Sequence, residues 1–152
     1  MECLFCDFLS GKKEHSNNFP FLPIFSSEKT ISFLSIPEKQ HLEKSHILII
    51  PKKHYESLSE IPQETLSDLI SHTSLACQAL KKELKFPGAR VQLNEGKEAG
   101  QYIPHTHFHI YPMKNKEKED LPGLEEFNIK NFKEASKSLA EKFKKLATSY
   151  KQ

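Results

Sequence analysis

Apolar residues along the chain follow two periods. Ile24-Phe25 and Ile31-Ser32-Phe33-Leu34 are short β-prone runs separated by Ser26-Ser27-Glu28-Lys29, which predicts a hairpin with a longer loop. His46-Ile47-Leu48-Ile49-Ile50-Pro51 is a continuous apolar run, the pattern of a strand covered on both faces, and is expected in the middle of a sheet. Val91 and Leu93 alternate with Arg90, Gln92 and Asn94 in a further strand. From Pro62 to about Leu84 the period changes: Leu66, Leu69, Ile70, Ala76, Cys77, Leu80 and Leu84 recur at steps of three and four, the spacing of one helix face. That helix should stop before Phe86-Pro87-Gly88, because the residue preceding a proline is pushed out of the helical region. After the break at Leu121-Pro122-Gly123, Phe132, Ala135, Leu139, Phe143 and Leu146 form one apolar stripe on a Lys-rich terminal helix whose lysines read as a solvated face.

Polar connectors fill the gaps. Gly11 to Pro23 reads as irregular, Pro37 to Ser45 as a loop, and Asn94 to Ile103 as a connection carrying Gly96 and Gly100. Strands grouped around two helices predict an α+β class with a largely antiparallel sheet, one long helix and a C-terminal helix. A single domain over 1–152 is expected, with a core at about 3–113 and a linker plus helix over 114–152.

The stretch 105–111 reads HTHFHIY, three histidines at alternate positions in a chain with eight. Side chains alternate faces along a strand and rise about 3.3 Å per residue, so His105, His107 and His109 would share one face while Thr106, Phe108 and Ile110 point to the core. His46, at the start of the buried strand, is expected beside them. His72 lies off the apolar stripe of its helix, and His15 and His41 lie in polar connectors; all three are expected to be exposed.

Bulk properties narrow the classes. The chain has 22 basic and 20 acidic residues spread along its 152, a balance that gives no support to a nucleic-acid-binding patch. The longest aliphatic run, Ile47 to Ile50, is far below the roughly 20 residues of a membrane span, so no membrane partner is expected. The start Met-Glu-Cys lacks the features of a secretory signal, which makes the cytoplasm the expected compartment. Cys3 and Cys6 have the spacing of a metal or redox pair, whereas Cys77 reads as a small buried hydrophobe.

From the residues alone, three chemistries fit HTHFH. One is a metal cage of neutral imidazoles with an open position, and a second is a nucleophilic site in which one imidazole attacks phosphorus while its other nitrogen is hydrogen-bonded. The third is a structural cluster. Upstream, NEGKEAGQYIP offers two glycines and an amide side chain, and glycines let backbone N–H groups approach a phosphate.

Joined to HTHFHIYP, that segment resembles the histidine triad family of nucleotide-binding proteins. CLFC at the N-terminus is similar to the zinc-binding CxxC of many bacterial members, and SHILIIPKKH to the family's strand with a histidine before an aliphatic run and PKxH. The resemblance implies a histidine triad fold and hydrolysis or transfer at the α-phosphate of a purine nucleotide, on a phosphoramidate or a dinucleoside polyphosphate. It implies His107 as nucleophile, His109 on the phosphate, the backbone near His105 orienting the nucleophile's ring, and His46 completing the cluster. Asn94, Gly100 and Gln101 would hold phosphate or leaving group. It further implies a structural zinc on Cys3, Cys6, His54 and His105, and a homodimer. Two other readings stay open: a non-catalytic nucleotide-binding or interaction protein, and a hydrolase with its metal among His105, His107 and His109.

The chain departs from the family pattern in places. Phe33-Leu34-Ser35-Ile36 stands where members usually read like FLDI, with the Asp on the ribose hydroxyls; Ser35 can hydrogen-bond a sugar but carries no charge. Glu38 or Glu43 would be the substitute carboxylates. Tyr102 replaces a small hydroxyl residue and Met113 an arginine, so substrate binding is expected to differ.

Overall fold

The computed structural model describes residues 2–36 and 44–149. Most of the loop expected over Pro37 to Ser45, with His41, Glu38 and Glu43, lies outside the described residues. In chain order the elements are α1 (Leu4–Ser10), β1 (His15–Ser16), β2 (Phe19–Pro20), β3 (Pro23–Ser26), β4 (Thr30–Leu34), β5 (Ile47–Pro51), α2 (Gln63–Gln78), β6 (Gly88–Leu93), β7 (Phe108–Lys114), β8 (Glu117–Lys118) and α3 (Ile129–Ser149). The class is the expected α+β with an antiparallel sheet.

The main sheet runs β3-β4-β5-β7-β6, with β8 added to β7, and every pairing is antiparallel. The apolar run Ile47–Pro51 is its central strand, and Ile47, Ile49 and Ile50 are fully buried. Burying such side chains contributes about 1.5–3 kcal/mol each, which is why this run sits where both faces are covered. Two different layers cover it. Leu34, Ile47, Ile49 and Ile110 pack with Leu69, Ala76 and Leu80 of the long helix region and with Phe132, Leu139 and Phe143 of α3. Phe33, Leu48 and Ile50 face the other way and pack with Cys3, Phe5 and Phe8 around α1.

The long helix continues past Gln78 as a π-helical turn over Ala79–Glu83 and ends before Phe86-Pro87. α3 buries Phe132, Ala135, Leu139, Phe143 and Leu146, the expected stripe. Two expectations change. Gly11 to Pro23 is not wholly irregular: β1 and β2 form a small hairpin whose turn residues Asn17 and Asn18 have φ of 49° and 67°, the left-handed pair that a two-residue hairpin turn demands and asparagine tolerates. His72 is buried, not exposed, at 3% accessibility. Its Nδ1 is 2.8 Å from Thr30 Oγ1 and its Nε2 2.8 Å from Ser32 Oγ. β4 places two hydroxyls on its helix-facing side, and a buried imidazole satisfies both. His15 is exposed as expected, and Cys77 is half-buried.

Candidate functional site

One row of side chains crosses the sheet on the α1 face. The registers pair Phe33 with Leu48, Leu48 with His109 and His109 with Gln92. Parity then puts Ser35, His46, His107 and Tyr111 on the same side. The opposite side of the histidine segment meets the core through Phe108 and Ile110, as the alternation requires.

The three histidines are not equivalent. β7 begins at Phe108, so His105 to His107 stand outside the ladder. The His105 N–H bonds Ile103 O in a tight turn, and the Thr106 N–H reaches across to Tyr55 O. These bonds rotate His105 away from its neighbours. Its Nδ1 lies 3.5 Å from Cys3 Sγ and 3.7 Å from Cys6 Sγ, and Cys6 Sγ lies 3.3 Å from His54 Nδ1. The ligand atoms of Cys3, Cys6, His54 and His105 all fall within 4.8 Å of one another.

That geometry fits a metal. A tetrahedral ion with bonds of about 2.3 Å to sulfur and 2.0–2.1 Å to nitrogen spaces its ligand atoms by about 3.3–3.8 Å, the range of these three separations. His105 Nε2 donates to Pro51 O at 2.8 Å, which fixes the tautomer that leaves Nδ1 its lone pair, the usual outer-shell arrangement of a metal-bound histidine. Burial holds His105 down to about 4, so its ring is neutral. Burial and the neighbouring Cys3 push the Cys6 thiol up to about 11, so the Cys6 sulfur becomes a thiolate only with a cation beside it.

His46, His107 and His109 line a cavity of about 640 Å³, a size suited to a small ligand. His107 Nδ1 donates to its neighbour's carbonyl, His105 O, at 2.7 Å; its Nε2 therefore carries the lone pair. Burial lowers its pKa. The His107 and His109 rings are 4.8 Å apart, and Phe5 meets His107 edge-on at 5.4 Å. His46 Nε2 lies 2.8 Å from His109 Nδ1. Burial first, then repulsion from Lys118 and His107, holds His46 at about 4; burial and the neighbouring His46 hold His109 at about 3.

Asn94, Gly100 and Ser35 also line the cavity, and so does Tyr102, 82% exposed at its mouth. Gln101 does not. Its Oε1 accepts the Gly96 N–H at 2.8 Å and its Nε2 donates to Glu56 O at 2.9 Å, so both ends of its amide shape the loop. Ser35 Oγ is turned onto His46.

Several contributors escape sequence reasoning. α1 supplies Phe5 and Phe8 as cavity walls, and the spacing of those two aromatics was the one available signal. Tyr111 packs against His46 with ring centroids 4.1 Å apart and planes tilted by 31°, with Lys118 of β8 over its ring at 3.9 Å; nothing local marks either.

Comparison with known proteins agrees with this arrangement. A profile of the HIT domain matches residues 24–116. An HIT-like protein of Methanocaldococcus jannaschii is 36% identical over 110 residues, covering 72% of this chain and 78% of that protein. The adenosine 5'-monophosphoramidase of Candida albicans is 35% identical over 117 residues, covering 74% and 71%. A zinc-bound histidine triad protein of Mycobacterium smegmatis shares the fold, with a TM-score of 0.73, 24% identity and 98% of each chain covered. With the cavity, the paired histidines and these matches in agreement, the chain belongs to the HIT, or histidine triad, family.

Proposed function

We propose that the chain hydrolyses, or transfers from, the α-phosphate of a purine nucleotide carried as a phosphoramidate or a dinucleoside polyphosphate. The observation that carries this reading is the 2.7 Å bond from His107 Nδ1 to His105 O. It commits the ring to one tautomer and leaves Nε2 as a nucleophile in the cavity. Nε2 attacks the α-phosphorus, a phosphorus–nitrogen bond forms, and the bond to the leaving group breaks as that group takes a proton from a cavity water, a proton that the attacking water of the second step returns. Water then attacks the same phosphorus, releases the nucleoside monophosphate and restores the imidazole. His109 faces the phosphoryl oxygens, and Asn94 with the Gly100 backbone lies at the leaving-group side. The C. albicans relative's name supports a phosphoramidate.

Cys3, Cys6, His54 and His105 would hold zinc. Four protein ligands close the site, so the ion's part is to fix His105. A metal shared instead by His105, His107 and His109 finds no support, since His105 points its ring at the sulfurs. Reduced Cys3 and Cys6 suit a cytoplasmic setting. The edge of β6, where Val91 is 45% exposed, supports pairing with a second copy.

A panel of nucleoside phosphoramidates and dinucleoside polyphosphates, assayed on metal-stripped and zinc-loaded protein, tests the reading. Release of nucleoside monophosphate without any added divalent ion is expected. Tight AMP binding with no turnover of any substrate would make the chain a binding protein instead.

A further inference from the structure

Ser35 follows β4 and faces His46 across the sheet. Its N–H bonds His46 O at 2.8 Å, and its Oγ accepts the His46 N–H at 2.9 Å. The same Oγ lies 3.0 Å from His46 Nδ1, and so does the Lys44 carbonyl, also at 3.0 Å. The imidazole's far nitrogen meets His109 Nδ1, and His109 Nε2 is buried with no partner among the described residues.

Proton positions along this chain of contacts follow from what each atom can do. A carbonyl only accepts, so a bond to Lys44 O requires the proton on His46 Nδ1. His46 Nε2 is then bare, His109 Nδ1–H donates to it, and His109 Nε2 presents a lone pair to the cavity. A lone pair repels a phosphoryl oxygen. Ser35 supplies the other arrangement, because a hydroxyl both donates and accepts. With Ser35 Oγ–H donating to His46 Nδ1, His46 Nε2–H donates to His109 Nδ1, and His109 Nε2–H points into the cavity.

The interchange balances. One proton is delivered to the buried His109 Nε2 by water admitted with the nucleotide through the cavity that His109 lines, the His109 Nδ1 proton moves to His46 Nε2, and the His46 Nδ1 proton passes to Ser35 Oγ. Ser35, which lines the cavity, releases its own proton to water, so no charge is created. The alternative is an imidazolium at His109. His107, His46 and Tyr111 surround that ring, and Lys118 lies over Tyr111. Among the described residues lining the cavity there is no carboxylate, and the Lys44 ammonium is already 3.5 Å from Asp120. Before a phosphate arrives, a positive charge at His109 would have no carboxylate among the described cavity residues to offset it, and burial already disfavours charge on both rings.

We propose that Ser35 is a positioning residue whose hydroxyl lets His46 and His109 exchange tautomers together, so that His109 offers an N–H to a bound phosphate while the pair stays neutral. This rests on the nucleotide reading of the cavity given above. It assigns Ser35 to the histidines and not to the sugar.

The test is imidazole 15N NMR of the full chain, free and with AMP, beside Ser35→Ala and Ser35→Thr. AMP is expected to move the proton from Nδ1 to Nε2 on both His46 and His109 in the native chain and in Ser35→Thr. In Ser35→Ala, His46 keeps its Nδ1 proton and AMP binds about tenfold more weakly or worse, the loss of one hydrogen bond to a charged group. A doubly protonated His109 in the native complex overturns the proposal, as does an unchanged tautomer, or a Ser35→Ala protein that behaves as the native one. If AMP moves no histidine resonance, the nucleotide reading of the cavity fails first and the relay falls with it.

Discussion

His105 holds His107 by its backbone while its own ring belongs elsewhere: the carbonyl accepts the His107 Nδ1 proton at 2.7 Å, and the ring lies 3.5 Å from Cys3 Sγ. The candidate metal cluster is therefore joined to the cavity through one residue, His105, whose carbonyl holds the cavity-lining His107 ring. Whatever fixes the His105 ring also fixes the carbonyl that sets the tautomer of His107.

Metal removal should therefore be felt at the cavity. Chelation or a Cys6→Ser substitution is expected to remove the bound metal and lower kcat/KM by about 10- to 100-fold, the usual range for loss of an outer support. Metal content by mass spectrometry alongside kinetics checks this. Full activity in metal-free protein would uncouple the two sites.

The buried His72 makes stability depend on pH. Burial lowers its pKa from 6.5 to about 4, so between those values the unfolded chain binds the proton and the folded chain does not. Stability from this group is complete above 6.5 and is lost as pH falls toward 4, a change of about 3 kcal/mol. His72→Leu leaves Thr30 bonded to Ser27 and Ser32 to Phe25 O. It is expected to cost about 1–2 kcal/mol at neutral pH and to reduce the slope between 6.5 and 4, to which the buried His46, His105 and His109 also contribute. Urea unfolding across that range measures both.

Gly100 and Gly123 separate backbone strain from chemistry. Both have positive φ, 88° and 85°, where a side chain costs about 1 kcal/mol or more. A Cβ at Gly100 would also meet Asn94 Nδ2 at 3.5 Å, whereas Gly123 has nothing within 4 Å. Gly100→Ala and Gly123→Ala are expected to lower the melting temperature similarly, with kcat/KM falling only for Gly100→Ala.

What was legible in the sequence is what period and spacing carry. The central strand, the long helix, the α3 stripe and the placing of His46 beside His109 follow from apolar pattern and parity. His72 was not legible, because only its partners Thr30 and Ser32, 42 and 40 residues away, make a buried imidazole tolerable. Strict parity also misplaces His105, since the bond from Thr106 N–H to Tyr55 O that turns the chain out of the ladder joins distant segments. The same holds for Gln101 and Ser35, whose partners Glu56 O and His46 are set by the fold and not by neighbours.

The central claim is that His107 becomes covalently nucleotidylated. Rapid mixing with an adenosine phosphoramidate, a neutral or alkaline quench that spares the acid-labile phosphorus–nitrogen bond, and peptide mass spectrometry test it most directly. The expected result is adenylate on His107 in the native chain, with none in His107→Ala and turnover abolished there while the fold is kept. Undiminished turnover by His107→Ala, or adenylate on another residue, would contradict the account.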